Sequence, residues 1–253
     1  MSILPTEPTP PKMNLRDFII LAHGLPKAGK TRWASHFEKG LFLATESGQG
    51  AISAYVMPIN TWETFLQACS ELATGKHDFR VVIIDTIDLL YSLCQAYVCR
   101  KHRVEYEGDL SYGKGFSLVS NEFQRALIKL SHLPIGLIMI AHSERETIET
   151  RTGSYQRVVP LLRDKARRLI CGMADLILFF DQETVADGQD GKTTRRVIHT
   201  KPSPYYESGD RTGLLPETIE MDFTKFQAAF DAAVGNLAAG NAATAIKDKE
   251  KTQ

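Results

Sequence analysis

No run of apolar residues in this chain approaches the ~18 that a membrane-spanning helix needs, and the N-terminus has neither the basic nor the apolar segment of a secretory leader. A cytoplasmic protein with no membrane partner is expected. Net charge is missing as well, because 30 Lys and Arg residues cancel 30 Asp and Glu residues. No global field draws the chain to a polyanion, so any such site has to be a local patch. Cysteine is scarce, and Cys69, Cys94, Cys99 and Cys171 have no C-x-x-C spacing. That pattern argues against a zinc ribbon and a disulfide framework, and reduced thiols are expected. No internal repeat is present.

What the chain does have is enough apolar residue, 43%, for the core of one large α/β domain. Its organising stretch is Gly24-Leu25-Pro26-Lys27-Ala28-Gly29-Lys30-Thr31, read as G-x-x-x-x-G-K-T, followed by Arg32. It follows the apolar run Phe18–Ala22 and precedes a helix expected over Arg32–Lys39, the strand–loop–helix context of a P-loop. Glycines in such a loop let successive backbone N–H groups surround a phosphate, and the helix behind it points its positive end at the same place. Lys30 is expected to reach the β- and γ-phosphate oxygens of ATP, and the Thr31 hydroxyl to ligate Mg²⁺.

Three later strands end in polar residues. Gly40 reads as a helix stop and Leu41–Thr45 as a buried parallel strand that ends at Glu46, a carboxylate able to orient an attacking water. The run Val81-Val82-Ile83-Ile84 ends at Asp85, the expected second magnesium-binding residue opposite Thr31. Ile135–Ala141 ends at His142, placed to sense the γ-phosphate. Ligands of open α/β sheets sit beyond the carboxyl ends of the strands, where all three of these residues fall.

Between and after these strands, helices are expected over Thr61–Gly75, Asp88–His102, Ser117–His132 and Phe223–Val234. Residues 107–115 form a glycine-rich connection that reads as a mobile loop, in which Tyr112 and Lys114 suit either a plain connection or contact with single-stranded DNA. Residues 143–159 read as an exposed hairpin or a flexible loop, with Arg145, Arg151, Tyr155 and Arg157 as further DNA candidates. A second hairpin turn is expected over Asp187–Lys192, and residues 201–213 form a basic stretch with Tyr205 and Tyr206. The expected organisation is a flexible leader over 1–13 with Pro5, Pro8, Pro10 and Pro11, one domain over 14–234, and a disordered tail over 235–253.

Taken in order, the P-loop at 24, Glu46, Asp85, His142, the charged loop and the hairpin resemble the RecA-like ATPases, and within them the small phage-type proteins of single-strand annealing and recombination. The resemblance covers roughly residues 15 to 230. It implies a RecA-like P-loop NTPase fold, with a mostly parallel central sheet flanked by helices and a C-terminal antiparallel hairpin extension. It implies Glu46 and Lys30 as catalytic residues, His142 as sensor, and DNA contacts from residues 107–116 and 143–160. It further implies Lys201 and Arg211 as contacts to ATP on a neighbouring subunit of a head-to-tail homo-oligomer. A phage gene would place the protein in the cytoplasm of a bacterial host. Histidine stands where bacterial recombinases commonly have glutamine, and the chain has no length for their extra DNA-binding domains, so annealing or a mediator role is implied ahead of strand exchange. Two other readings stay open: a loader or adaptor ATPase acting on a replication or recombination protein, and a P-loop small-molecule kinase.

Overall fold

The computed structural model describes residues 4–187 and 191–250. Its strands are β1 (Ile19–Gly24), β2 (Gly40–Ala44), β3 (Tyr55–Pro58), β4 (Val81–Asp85), β5 (Gly136–Thr150), β6 (Gly153–Pro160), β7 (Leu176–Asp187), β8 (Gly191–His199), β9 (Gly209–Asp210) and β10 (Thr218–Glu220). Its helices are α1 (Lys30–Ala34), α2 (Trp62–Ala73), α3 (Ile87–His102), α4 (Lys114–Ser131), α5 (Asp164–Met173) and α6 (Phe223–Glu250). The sheet order is β10-β8-β7-β1-β5-β4-β2-β3, with β6 paired to β5 and β9 to β7. From β7 to β3 every neighbouring pair is parallel, and β8 and β10 continue the sheet with antiparallel pairings.

Strands covered on both faces need apolar side chains at every position, and β2 and β4 are buried throughout. Leu21, Leu43, Ile84 and Met139 face one core with Trp62, Phe65, Phe123 and Ile170 of α2, α4 and α5. Ile20, Ala22, Phe42, Ile83 and Ile138 face the other, with Trp33 of α1 and Phe226 and Phe230 of α6. Trp33 meets Phe37, Phe180, Phe223 and Phe226 at ring distances of 5.1–5.6 Å, which fixes the short α1 onto the sheet.

Several boundaries differ from the expectation. Helix α1 ends at Ala34 rather than running to Lys39. Lys39 takes the left-handed turn (φ 55°), and Gly40 opens β2, where a Cβ would lie 3.0 Å from both the Phe37 carbonyl oxygen and Ile83 Cδ1. Edge strand β3 was not anticipated, because four exposed or half-buried residues ending in Pro58 carry no alternation. Residues 107–113 form two 3₁₀ turns leading directly into α4, anchored by the buried Glu107 carboxylate, which pairs with Arg163. Helix α6 continues to Glu250 where a disordered tail from 235 was expected. Its alanines are the strongest helix formers, and they outweigh the glycines and asparagines between them. The expected turn over 187–192 has its central residues 188–190 outside the described residues, although its flanks pair at Asp187↔Gly191.

Two strands overrun the sheet at the P-loop end. Gly24, the last residue of β1, lies opposite His142 of β5 and Phe180 of β7. Beyond that level β5 continues to Thr150 and pairs with β6, while β7 continues to Asp187 and pairs with β8. Two antiparallel arms therefore flank the P-loop strand. His23 of β1 ties them down. It is fully buried, its Nε2–H donates to the Glu207 carbonyl (2.6 Å), Nδ1 accepts from the Ser143 hydroxyl (2.8 Å), and its ring stacks on Phe179.

Burial pushes His23 down to about 4, against the Glu207 bond and helped by the Lys30 cation. A histidine with a lowered folded-state pKa binds fewer protons folded than unfolded, so its contribution to stability is intact above pH ~6.5 and is lost as pH falls towards 4. His23→Gln is therefore expected to remove part of the acid-induced loss of stability, a difference of about 3 kcal/mol or less across that window by urea denaturation. An unchanged pH dependence in the variant would show that His23 is not buried neutral.

Candidate ATP and magnesium site

The P-loop closes as its residue types require. Gly29 sits at φ 109°, a conformation that L side chains avoid, and caps the start of α1. Because α1 has only five residues, the loop's own N–H groups, rather than a long helix dipole, have to supply most of the phosphate binding. Lys30 is 6% exposed, and its Nζ donates to the carbonyls of Gly24 (2.8 Å) and Leu25 (2.9 Å). Burial pulls its pKa below the usual lysine range, against the opposing pull of Asp85, Asp88 and Glu46. Phosphate oxygens are stronger acceptors for this ammonium than backbone carbonyls.

Asp85 ends β4 with no exposed surface. One oxygen, Oδ2, accepts from the Thr31 hydroxyl (3.0 Å) and from Gln49 Nε2 (2.7 Å), while Oδ1 is buried without a hydrogen-bond partner. Burial raises the Asp85 pKa, offset by the Gln49 and Thr31 bonds and by the Lys30 and His142 charges. A buried carboxylate with one orphaned oxygen, beside a threonine hydroxyl, is a fitting donor set for a hard divalent cation. Thr31 and Asp85 would hold Mg²⁺ there, directly or through water.

Glu46 and His142 complete the site. His142 lies one strand from Asp85, because β5 separates β1 from β4. Its backbone N–H donates to Asp88 Oδ1 (3.1 Å) and its Nδ1 to Asp88 Oδ2 (2.8 Å), which aims Nε2 at Glu46 Oε2, 4.0 Å away. Burial raises the Glu46 pKa, with Asp85 and Asp88 adding to the effect and His142 and Lys30 opposing it. A cavity of about 360 Å³ joins these groups, lined by Pro26, Lys27, Gly29, Lys30, Thr31, Arg32, Glu46, Asp85 and His142 among others.

Of the expected ATP-binding, magnesium and sensor residues, Pro26, Lys27, Gly29, Lys30, Thr31, Arg32, Glu46, Asp85 and His142 converge on one cavity, whereas Gly24, Leu25 and Ala28 do not line it, and two neighbours that matter were missed. Gln49 reads in the sequence only as part of a polar loop after Glu46, and Asp88 only as an acid at the start of a helix. The expected DNA and neighbour contacts lie elsewhere. Tyr112 is fully exposed in the turn before α4, and Lys114 opens that helix. Arg145 and Arg151 are exposed on the β5–β6 arm. Tyr155 packs against Tyr205 (5.9 Å), and Arg157 is held by Glu207 (3.0 Å). Lys201 pairs with the buried Asp210 (3.2 Å). Arg211 donates to the carbonyls of Gly172 and Ala174 (3.1 Å each) and pairs with Asp175, at the end of β1 and β7 remote from the P-loop.

Two substitutions test the arrangement. Glu46→Gln is expected to bind ATP normally and to lose turnover by about 10²–10⁴-fold, together with the acid limb that an ionising Glu46 imposes on the wild-type pH–rate profile. That limb should lie above the ordinary glutamate range, because burial raises the group. Asp88→Ala frees His142 from both of its bonds, so turnover should fall by about tenfold or more. Its ATP affinity, measured by nucleotide titration, should stay within about threefold of wild type, the signature of an interaction used in the transition state.

A family model described as "AAA domain" matches residues 16–212, well over half of the chain. The SPbeta prophage-derived uncharacterized protein YorG of Bacillus subtilis (strain 168) is 28% identical over 134 residues, which cover 51% of this chain and 42% of that protein. The chain therefore spans less than half the length of that relative. The matched region takes in the P-loop, Glu46, Asp85, Asp88 and His142, and the chain belongs to the AAA-domain family of P-loop ATPases.

Proposed function

We propose that this ATPase binds single-stranded DNA and uses ATP with Mg²⁺ to promote annealing or homologous recombination, as a head-to-tail homo-oligomer. The observation that carries the reading is β5. One unbroken strand runs from the sheet core, through His142 at the nucleotide site, into an arm that presents Arg145 and Arg151 to solvent. A shift of His142 on loss of the γ-phosphate would act on that arm with no intervening loop. Exposed arginines on such an arm suit the phosphate backbone of a single strand. The prophage origin in the relative's name is compatible with such a task.

In hydrolysis, the Glu46 carboxylate orients a water molecule towards the γ-phosphorus and accepts its proton as the new P–O bond forms and the bond to the β-phosphate oxygen breaks. Lys30 neutralises charge on the transferred group, and His142 Nε2 stands 4.0 Å from Glu46 Oε2 beside it. Mg²⁺, when bound, supplies charge neutralisation at the β- and γ-phosphates. In the oligomer, Lys201 and Arg211 of a neighbour remain the candidates for contacts in trans, and ATP at the boundary would link nucleotide binding to assembly.

A loader or adaptor ATPase is the second reading, and one groove favours it. Between α3 and the root of the β5–β6 arm lies a cavity of about 540 Å³ lined by Asp88, Glu144, Glu146 and Asp164, with Arg163 and Arg167 already paired to carboxylates. Such a surface repels phosphate and suits a basic protein segment.

The ATPase rate with and without single-stranded DNA, at two salt concentrations and with Lys30→Ala as blank, separates the two. A several-fold stimulation that weakens at the higher salt is the expected result. ATP binding with no stimulation at either salt would overturn the DNA reading in favour of a protein partner.

A further inference from the structure

The groove between α4 and α5 has the opposite character from the acidic one. Ser117, Ser120, Asn121 and Gln124 line it from α4, and Lys165 and Arg168 from α5, around a space of about 280 Å³. The α4 residues recur at i, i+3, i+4 and i+7, the stripe that a helix normally fills with apolar side chains where it faces a neighbour. Here that stripe is hydroxyl and amide. Among the described residues, no carboxylate lines the groove. Lys165 and Arg168 stand three residues apart on one face of α5, both are exposed, and among the described residues neither makes an ion pair, whereas Arg163 and Arg167 beside them are both paired. Just before Ser117 in the chain come fully exposed Tyr112, exposed Lys114 and exposed Phe116, whose ring lies 5.2 Å beneath the Arg163 guanidinium.

We propose that the α4–α5 groove is a seat for the phosphodiester backbone of single-stranded DNA. Lys165 and Arg168 neutralise phosphates, the Ser117, Asn121 and Gln124 side chains donate to phosphate oxygens, and bases stack on Tyr112 and Phe116, just before Ser117 in the chain. Cations with neutral donors and no acid complement a polyanion, and exposed rings favour unpaired bases over a stacked duplex. The seat rests on the reading of this protein as a single-stranded-DNA-binding ATPase, and adds a surface separate from the arms. It is also wired to the nucleotide. Arg167, on α5, holds Glu146 at the root of the β5–β6 arm (2.9 Å), and α4 leads into β5 and His142.

The test is fluorescence anisotropy of a dye-labelled oligothymidylate with the full chain and ATP across a salt series, for wild type, Lys165→Gln/Arg168→Gln and Arg145→Gln/Arg151→Gln. The groove variant is expected to bind at least ~10-fold more weakly at low salt and to lose about 1.4 from the slope of log affinity against log salt, about 0.7 for each of the phosphates released. Its ATP hydrolysis without DNA should be unchanged, and Lys165→Arg/Arg168→Lys should restore binding. Wild-type affinity and slope in the groove variant, with binding lost in the arm variant, would overturn the seat and leave the DNA reading standing. Wild-type protein that fails to bind the oligonucleotide even at low salt would overturn both.

Discussion

The burial of the Asp85 carboxylate is the constraint around which the site is arranged. A charge without exposed surface is tolerated only where hydrogen bonds and opposite charge compensate its lost hydration. Two segments distant from β4 in the chain meet that need: α1, through the Thr31 hydroxyl and the nearby Lys30 cation, and the loop after β2, through Gln49. Satisfying Oδ2 so fully leaves Oδ1 as the acceptor free for a cation or its water. The same arrangement fixes the register of the P-loop against β4, although β5 lies between β4 and the P-loop strand.

That intervening position gives β5 two tasks. Its first part is core, held by β1 on one side and β4 on the other. At His142 it reaches the end of both neighbours, and its backbone N–H loses a ladder partner on the β4 side, where Asp88 supplies an acceptor instead. The same carboxylate takes the ring Nδ1, so one acid at the start of α3 completes the strand's hydrogen bonding and sets the direction of the imidazole. Structural satisfaction of the strand and the aim of the His142 ring are here one interaction.

The sequence makes the local parts of this site legible and hides the parts that depend on tertiary pairing. Lys30, Thr31, Glu46, Asp85 and His142 each lie in a loop or at a strand end with its own hydrophobic run before it, so position along the chain is enough to place them. Gln49 and Asp88 acquire their roles only once β2, β4 and β5 stand side by side, and nothing in their neighbours' spacing announces it. The stretch 107–115, expected as a plain or mobile connection, holds two 3₁₀ turns and the start of α4 for a related reason. Its glycines suggest mobility, but Gly115 lets the Glu107 backbone approach so closely that a Cβ there would fall 2.0 Å from the carbonyl oxygen. Tertiary contact overrides local composition, as it does for the short α1.

Net charge of zero also acquires a structural meaning. At the start of α5, Arg163 just before the helix and Arg167 within it turn towards carboxylates, while Lys165 and Arg168 line the groove shared with α4. The helix separates an acidic groove at the root of the arm from a basic one beside α4, although its own residues on the two sides, Asp164 and Arg167 against Lys165 and Arg168, alternate along one turn. At physiological salt, fields from exposed charges decay over about 8 Å, so neighbouring grooves of opposite sign can act on different partners without cancelling. A polyanion drawn to the basic side would be steered away from the acidic side, which leaves Glu146 free to keep its pair with Arg167 at the base of the arm. Overall neutrality in this chain is thus a sum over opposed local fields, and the placement of α5 keeps them apart.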